Sequence, residues 1–123
     1  MKFTNQAIYD YAIALNEAFN DSTQRLPIKI NFYLQKNKTA LVALAQDIEN
    51  ERMNIIRTYG KPSAQDESQY IIEKEDIPKV QKELNDLFSL EQDVSIYAIK
   101  LEAFDDNLSL TTGQMEAMMF MID

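Results

Sequence analysis

The stretch PIKINFYLQKNKTALVALAQDIENERMNIIRTYG, residues 27–60, decides the fold. Between Pro27 and Gly60 no proline or glycine interrupts it, so one helix can run from the first turn, where proline is tolerated, to a glycine stop. Leu34, Leu41, Ile48 and Ile55 recur every seven residues, and Leu44 and Tyr59 widen the stripe, which reads as the buried face of a long helix. Asn37 and Glu51 spoil a regular coiled-coil seam, so an intramolecular helix pair is expected rather than an extended two-stranded rod. The opening IKINFYL alternates enough to leave a strand as the competing reading. Gly60 is expected in the left-handed conformation that ends many helices.

Working outward, Thr4 precedes a helical pattern of Ile8, Tyr11, Ala12, Leu15, Ala18 and Phe19 that ends near Asn20, with Phe3 and Ile8 placed as a hydrophobic staple. NDSTQRL, residues 20–26, is a polar turn. KPSAQDESQ, residues 61–69, is the one polar linker and is expected to be mobile. YIIEK reads as a short strand. Asp76 and Pro78 then open a helix that buries Ile77, Val80, Leu84, Leu87 and Phe88. DVSIYAIKL, rich in β-branched and aromatic residues, is expected to pair with YIIEK. Thr111 and Gln114 form a capping box for a last helix with Met115, Met118, Met119 and Ile122 on its docked face and Phe120 and Met121 off it. That docked face competes with a reading of the methionine-rich end as an interface for a partner or a second copy.

Together these elements predict an α+β, mostly helical fold. A long central helix from about Pro27 to Tyr59 packs with three shorter helices and a small two- or three-stranded sheet, in a single domain spanning residues 1–123.

Composition removes much chemistry. The chain has 123 residues, neither Cys nor His, and two glycines, so a thiolate nucleophile, an imidazole base, a Cys/His zinc site and Gly-rich phosphate loops cannot be written. No apolar run reaches the length of a membrane span, and MKFTNQAIYD lacks the apolar core of a secretory signal, so a soluble protein is expected. Glu102, Asp105, Asp106 and Asn107 have the ligand types for a hard cation but not the EF-hand spacing, and read as turn formers. Glu49 with Glu51, or Glu91 with Asp93, are carboxylate pairs without an expected sugar cleft between them. No metal, cofactor or enzymatic activity is therefore expected.

The formal charge of −8 is lopsided: residues 1–61 carry +2 and residues 62–123 carry −10. Lys29, Lys36 and Lys38 beside Phe32 and Tyr33 are the best basic and aromatic group, too sparse on an acidic chain to predict direct nucleic-acid binding. The acidic half has the opposite use, as carboxylates standing where a basic groove expects phosphates. Its candidate partner surface is Glu73, Glu75, Asp76, Glu83, Asp86, Glu91, Asp93, Asp105 and Asp106, with Glu67 and Glu102 nearby and the apolar Phe120 and Met121 added.

The order LPIKINFYLQKNKTAL, a long helix closing IIRTYGK, an acidic linker, VQKELNDLF, DVSIYAIKLEAFD and LSLTTGQMEAMMFMID resembles a family of small proteins encoded by tailed phages and prophages of low-GC bacteria. The resemblance spans roughly residues 26–123 and carries over no functional residue. It implies a noncatalytic protein-binding module, an inhibitor of a host or defence protein in the host bacterial cytoplasm. The alternative it implies is a structural or assembly component of the phage tail or head, found in the virion. The expected partner is a host or phage protein, or a second copy in a homo-oligomer, with no membrane and no direct nucleic acid.

Overall fold

In the computed structural model of the chain, the structure describes residues 1–21, 24–66, 69–104, 108 and 110–123. The fold is α+β and mostly helical. Strand β1 (Lys2–Thr4) runs into helix α1 (Asn5–Ala18); the long helix α2 (Ile28–Tyr59) is followed by strands β2 (Gly60–Pro62) and β3 (Tyr70–Ile72), helix α3 (Ile77–Ser89), strand β4 (Glu91–Asp93) and helix α4 (Thr112–Met118).

Helix α2 resolves the ambiguity of IKINFYL in favour of helix. At 1.5 Å per residue it extends about 48 Å, and Ile30, Leu34, Leu41 and Ile48 are buried along it against Ile8, Ala12 and Leu15 of α1. Pro27 stands just outside as the N-cap, its carbonyl accepting from Asn31 N–H at 2.9 Å. Ile55 is only half-buried, although it continues the heptad of Leu34, Leu41 and Ile48.

Asn37 does not merely interrupt the stripe; it lies inside it with no exposed surface. Its Nδ2 donates to Tyr97 O at 2.9 Å and its Oδ1 accepts from Tyr97 N–H at 2.8 Å, so the side-chain amide pairs with the backbone of Tyr97 as a neighbouring strand would. A polar residue at a core position is thus satisfied by a segment sixty residues away, which sequence periodicity cannot register.

Gly60 differs from the expected left-handed cap. Its φ of −95° and ψ of 162° are extended, and it begins β2 directly. The demand for glycine is steric: a Cβ there would lie 2.7 Å from Ile56 O and 3.1 Å from Tyr70 Cβ. Strands β2 and β3 pair antiparallel with Gly60 opposite Ile72 and Pro62 opposite Tyr70, and Ser63 N–H donates to Gln69 O at 2.8 Å beyond them. Of the expected linker 61–69, Lys61 and Pro62 belong to β2, and Ser63 and Gln69 continue the pairing of β2 with β3; Glu67 and Ser68 lie outside the described residues.

The YIIEK strand takes β2 as its partner rather than DVSIYAIKL. Only the start of the latter region is a strand, and β4 pairs antiparallel with β1 instead, Phe3 opposite Gln92. Asn5 holds this arrangement: its N–H donates to Leu90 O (2.8 Å), its Nδ2 to Leu87 O (2.8 Å), and its Oδ1 accepts from Gln92 Nε2 (2.6 Å). Two carbonyls at the end of α3, those of Leu87 and Leu90, thus accept from the residue that starts α1. Further on, Ile99 forms a parallel bridge with Ile122, supported by Ile99 N–H to Met121 O and Asp123 N–H to Ile99 O.

Two of the three predicted amino-terminal caps form side-chain hydrogen bonds. Thr4 Oγ1 accepts from Ala7 N–H at 3.1 Å, and Thr111 with Gln114 makes a reciprocal capping box. At Asp76 the cap lacks a side-chain hydrogen bond; its carboxylate lies 3.8 Å from Lys79 Nζ. Ile77, expected inside, is exposed, while Val80 is buried and Leu84, Leu87 and Phe88 are half-buried.

The last helix corrects the expected methionine face. After Met118 the chain tightens into a 3₁₀ turn, Met119–Met121. Three residues per turn eclipse positions i and i+3, so Met118 and Met121 are both buried while Met119 is 62% exposed. Met121, placed at sequence level on a partner surface, is instead a core residue whose Sδ lies 3.3 Å from Asn37 Nδ2.

Two substitutions test this core. Asn37→Leu, although more apolar, is expected to lower unfolding free energy by about 1–3 kcal/mol by stripping the Tyr97 backbone of its partner, read as a loss in chemical denaturation. Met118→Asp places an unpaired charge at a fully buried site and is expected to cost more than about 3 kcal/mol; an unchanged melting temperature would show that α4 does not dock.

Candidate partner surface

The acidic candidates follow α3 and its flanks. Glu73, Glu75 and Asp76 lie at the turn before α3, Glu83 and Asp86 along it, and Glu91 and Asp93 on β4 beyond it. All are exposed except Asp76, which is half-buried. Alternation along β4 sends Glu91 and Asp93 to one side and Gln92 to the other, where it meets Asn5. Because α3 extends about 20 Å, the carboxylates form a strip rather than a cluster. Among the described residues only Asp76 of this group makes an ion pair, with Lys79, and Tyr59 donates its hydroxyl proton to Glu83, which raises the Tyr59 pKa above its ordinary value. Lys74, Lys79 and Lys82 are interleaved, leaving a net charge of −4 over residues 73–93. Asp105 and Asp106, with Glu67, lie outside the described residues.

Phe120 is separated from most of that strip. Its ring stacks on Tyr11 with centroids 4.3 Å apart, and Phe3 approaches edge-on at 6.2 Å. Among the described acidic candidates, Asp93 shares a groove with Phe120 and Met121, lined also by Met1, Val94 and Asp123.

A second exposed surface lies at the start of α2. Tyr33 stacks on Tyr97 at 5.6 Å with ring planes 13° apart, Phe32 meets Tyr33 edge-on at 5.9 Å, and Lys36 Nζ sits 5.5 Å from the Phe32 ring centroid. Ile28, Phe32, Tyr97 and Leu101 are 86, 54, 47 and 60% exposed. Lys29 and Lys100 flank a small hollow of about 200 Å³ between Tyr33 and Ala98–Ala103. The local sequence already showed Lys29, Phe32, Tyr33 and Lys36. Tyr97, Lys100 and Leu101 join them only because Asn37 pins the Tyr97 backbone against α2. Lys38, grouped with them by sequence, faces a different groove beside Asn16 and Phe19.

Between α1 and α2 a third groove is lined by Ala12, Ile13, Val42 and Ala45, and closed at one end by Tyr9 and Glu49. Arg52 holds Glu49 through two hydrogen bonds of 2.6 and 2.8 Å, and Tyr9 donates its hydroxyl to the same carboxylate at 3.1 Å. The Arg52 guanidinium keeps the Glu49 carboxyl below its ordinary value of 4.5, while partial burial, reinforced by Glu49, pushes the Tyr9 phenol up. Glu51, paired with Glu49 in the sequence, is exposed and does not join it. The three groups bind one another, which makes this a brace between helices.

Among the described residues no three carboxylates converge to hold a metal ion, and no helix is long and apolar enough to cross a membrane. For the Glu49 brace the sign follows from linkage: a carboxyl with a lowered folded-state pKa adds stability above its ordinary value, lost as pH falls through the lowered one. Glu49→Gln is therefore expected to be less stable than the parent at about pH 6, with the difference shrinking as pH falls through the lowered Glu49 pKa, measured by urea unfolding at each pH. The chain matches no protein-family model, no curated protein and no solved structure.

Proposed function

We propose that the chain is a noncatalytic protein-binding module of a tailed phage or prophage, which inhibits a host or defence protein by presenting its acidic strip to a basic groove. The observation that carries this reading is the exposure of Glu73, Glu75, Glu83, Asp86, Glu91 and Asp93 along α3 and β4. Exposed carboxylates at the rim of an interface steer encounter and select a positively charged partner. The lysines interleaved with them demand a partner surface with matching acidic points, which narrows the choice beyond a generic polycation binder.

The alternative is a structural or assembly component of the phage tail or head. The exposed aromatic surface at the start of α2 favours it, since repeated assembly needs apolar contact area as well as charge.

The two are separated by affinity purification from the bacterial host, comparing the parent with a Glu73→Lys/Asp86→Lys/Glu91→Lys triple variant. The inhibitor reading expects one host protein at near-stoichiometric yield, released by salt, and a loss of at least about tenfold in recovery with the triple variant at unchanged melting temperature. Recovery indifferent to the three reversals, together with stoichiometric presence in purified virions by mass spectrometry, would select the assembly role.

A further inference from the structure

We propose that the hollow between the start of α2 and residues 98–103 is a binding site for a small organic carboxylate, an acid whose body is one ring or a short chain. The inference is independent of the acidic strip on α3 and β4.

Its walls are largely apolar and held in place. Tyr33, Ala98, Ile99 and Ala103 line a space of about 200 Å³. The Tyr33 ring stacks on Tyr97, whose backbone N–H and carbonyl are both held by buried Asn37. Ile99 is buried, with its N–H donating to Met121 O at 2.8 Å and its carbonyl accepting from Asp123 N–H at 2.9 Å. Ala103 N–H donates to Lys100 O at 2.9 Å, which closes residues 100–103 into a turn. Little of this wall has to be ordered when a ligand enters, which is the pre-organisation that small-molecule sites share.

Charge selects the ligand. Among the described residues that line the hollow, only Lys29 and Lys100 are charged, one from α2 and one from the segment that Asn37 pins beside it. Neither forms an ion pair, although the chain is acidic; among the described residues the ion pairs are Arg52 with Glu49 and Lys79 with Asp76. Two unpaired ammonium groups on one hollow favour an anion held between them. The space is smaller than the roughly 300–1,000 Å³ of drug-sized sites, so the ligand is short. An inorganic anion would give up its hydration and leave the apolar wall unfilled. A carboxylate on a ring or short chain covers that wall and keeps its charge at the lysines.

The probe is benzoate, followed by the amide chemical shifts of the isotope-labelled intact chain. It should saturate with a dissociation constant on the order of 1 mM and shift Tyr33 and residues 98–103 while the acidic strip stays unmoved. Benzamide has the same body without the charge, and acetate and inorganic phosphate have the charge without the body; each should bind at least about tenfold weaker. Lys29→Gln/Lys100→Gln should bind benzoate no better than benzamide. Ala98→Leu, which fills the hollow and keeps both lysines, should weaken benzoate at least about tenfold. Lys29, Ala98 and Lys100 are exposed, so the melting temperature should not change in either variant. If Ala98→Leu melts lower, the lysine variant and the benzamide comparison decide alone. Benzoate that fails to saturate by about 20 mM, or benzamide or phosphate that binds as tightly, overturns the proposal. So does a normally folded Ala98→Leu that keeps full affinity, since the lysines would then act as surface charges without a cavity. None of these outcomes alters host-partner recovery through Glu73, Asp86 and Glu91, so the two proposals fail separately.

Discussion

One side-chain amide, that of Asn37, holds together parts of the chain that share no regular secondary structure. Residues 94–98 cross α2 without forming a strand, so their backbone groups need partners from elsewhere. Asn37 supplies both a donor and an acceptor to Tyr97, and Met121 packs against the same amide. Pinning Tyr97 places Ile99 beside Ile122 and so seats the carboxy-terminal segment on the core. Remove the amide and the aromatic surface, the parallel bridge and the docked end of the chain lose their common reference point.

The same device appears at two other junctions. Asn5 joins the start of α1 to the end of α3 and to β4, and Gln114 joins α4 to the end of α1, donating to Ala18 O at 2.8 Å and pairing reciprocally with Gln24. Buried amides are neutral, so they escape the desolvation cost of buried ions, and each carries both a donor and an acceptor. Among the described residues no buried side-chain polar atom is left without a partner. In a chain without cysteine, these clamps connect segments sixty to ninety-six residues apart without covalent links.

This construction leaves the outside available for recognition. Carboxylates along α3 and β4 take no part in the core, and the aromatic surface at the start of α2 is supported from beneath by Asn37. The two surfaces differ in physical character. An acidic strip acts at a distance and weakens with salt, whereas an aromatic surface acts on contact and through shape.

Local chemistry alone determined a good deal of this structure: the thirty-two-residue helix bounded by Pro27 and Gly60, the Thr4 cap, the Thr111–Gln114 box and the burial of Leu34, Leu41 and Ile48. These depend on contacts within a few residues or on a helical period, both of which are written in order along the chain. Charge alone did not decide the exposure of the carboxylates around α3 and β4, since Asp76 is half-buried, and their spread into a strip depended on the length of α3. Strand pairing was not legible, because three-residue strands carry too little alternation to choose a partner; Asn5 and the steric demand at Gly60 chose instead. Met121 moved into the core because a 3₁₀ turn replaced the last turn of α helix. Asn37 read as a flaw in a hydrophobic stripe until Tyr97 lay beside it, since a polar group's place in a core is decided by the partner that satisfies it, and that partner is found only in three dimensions.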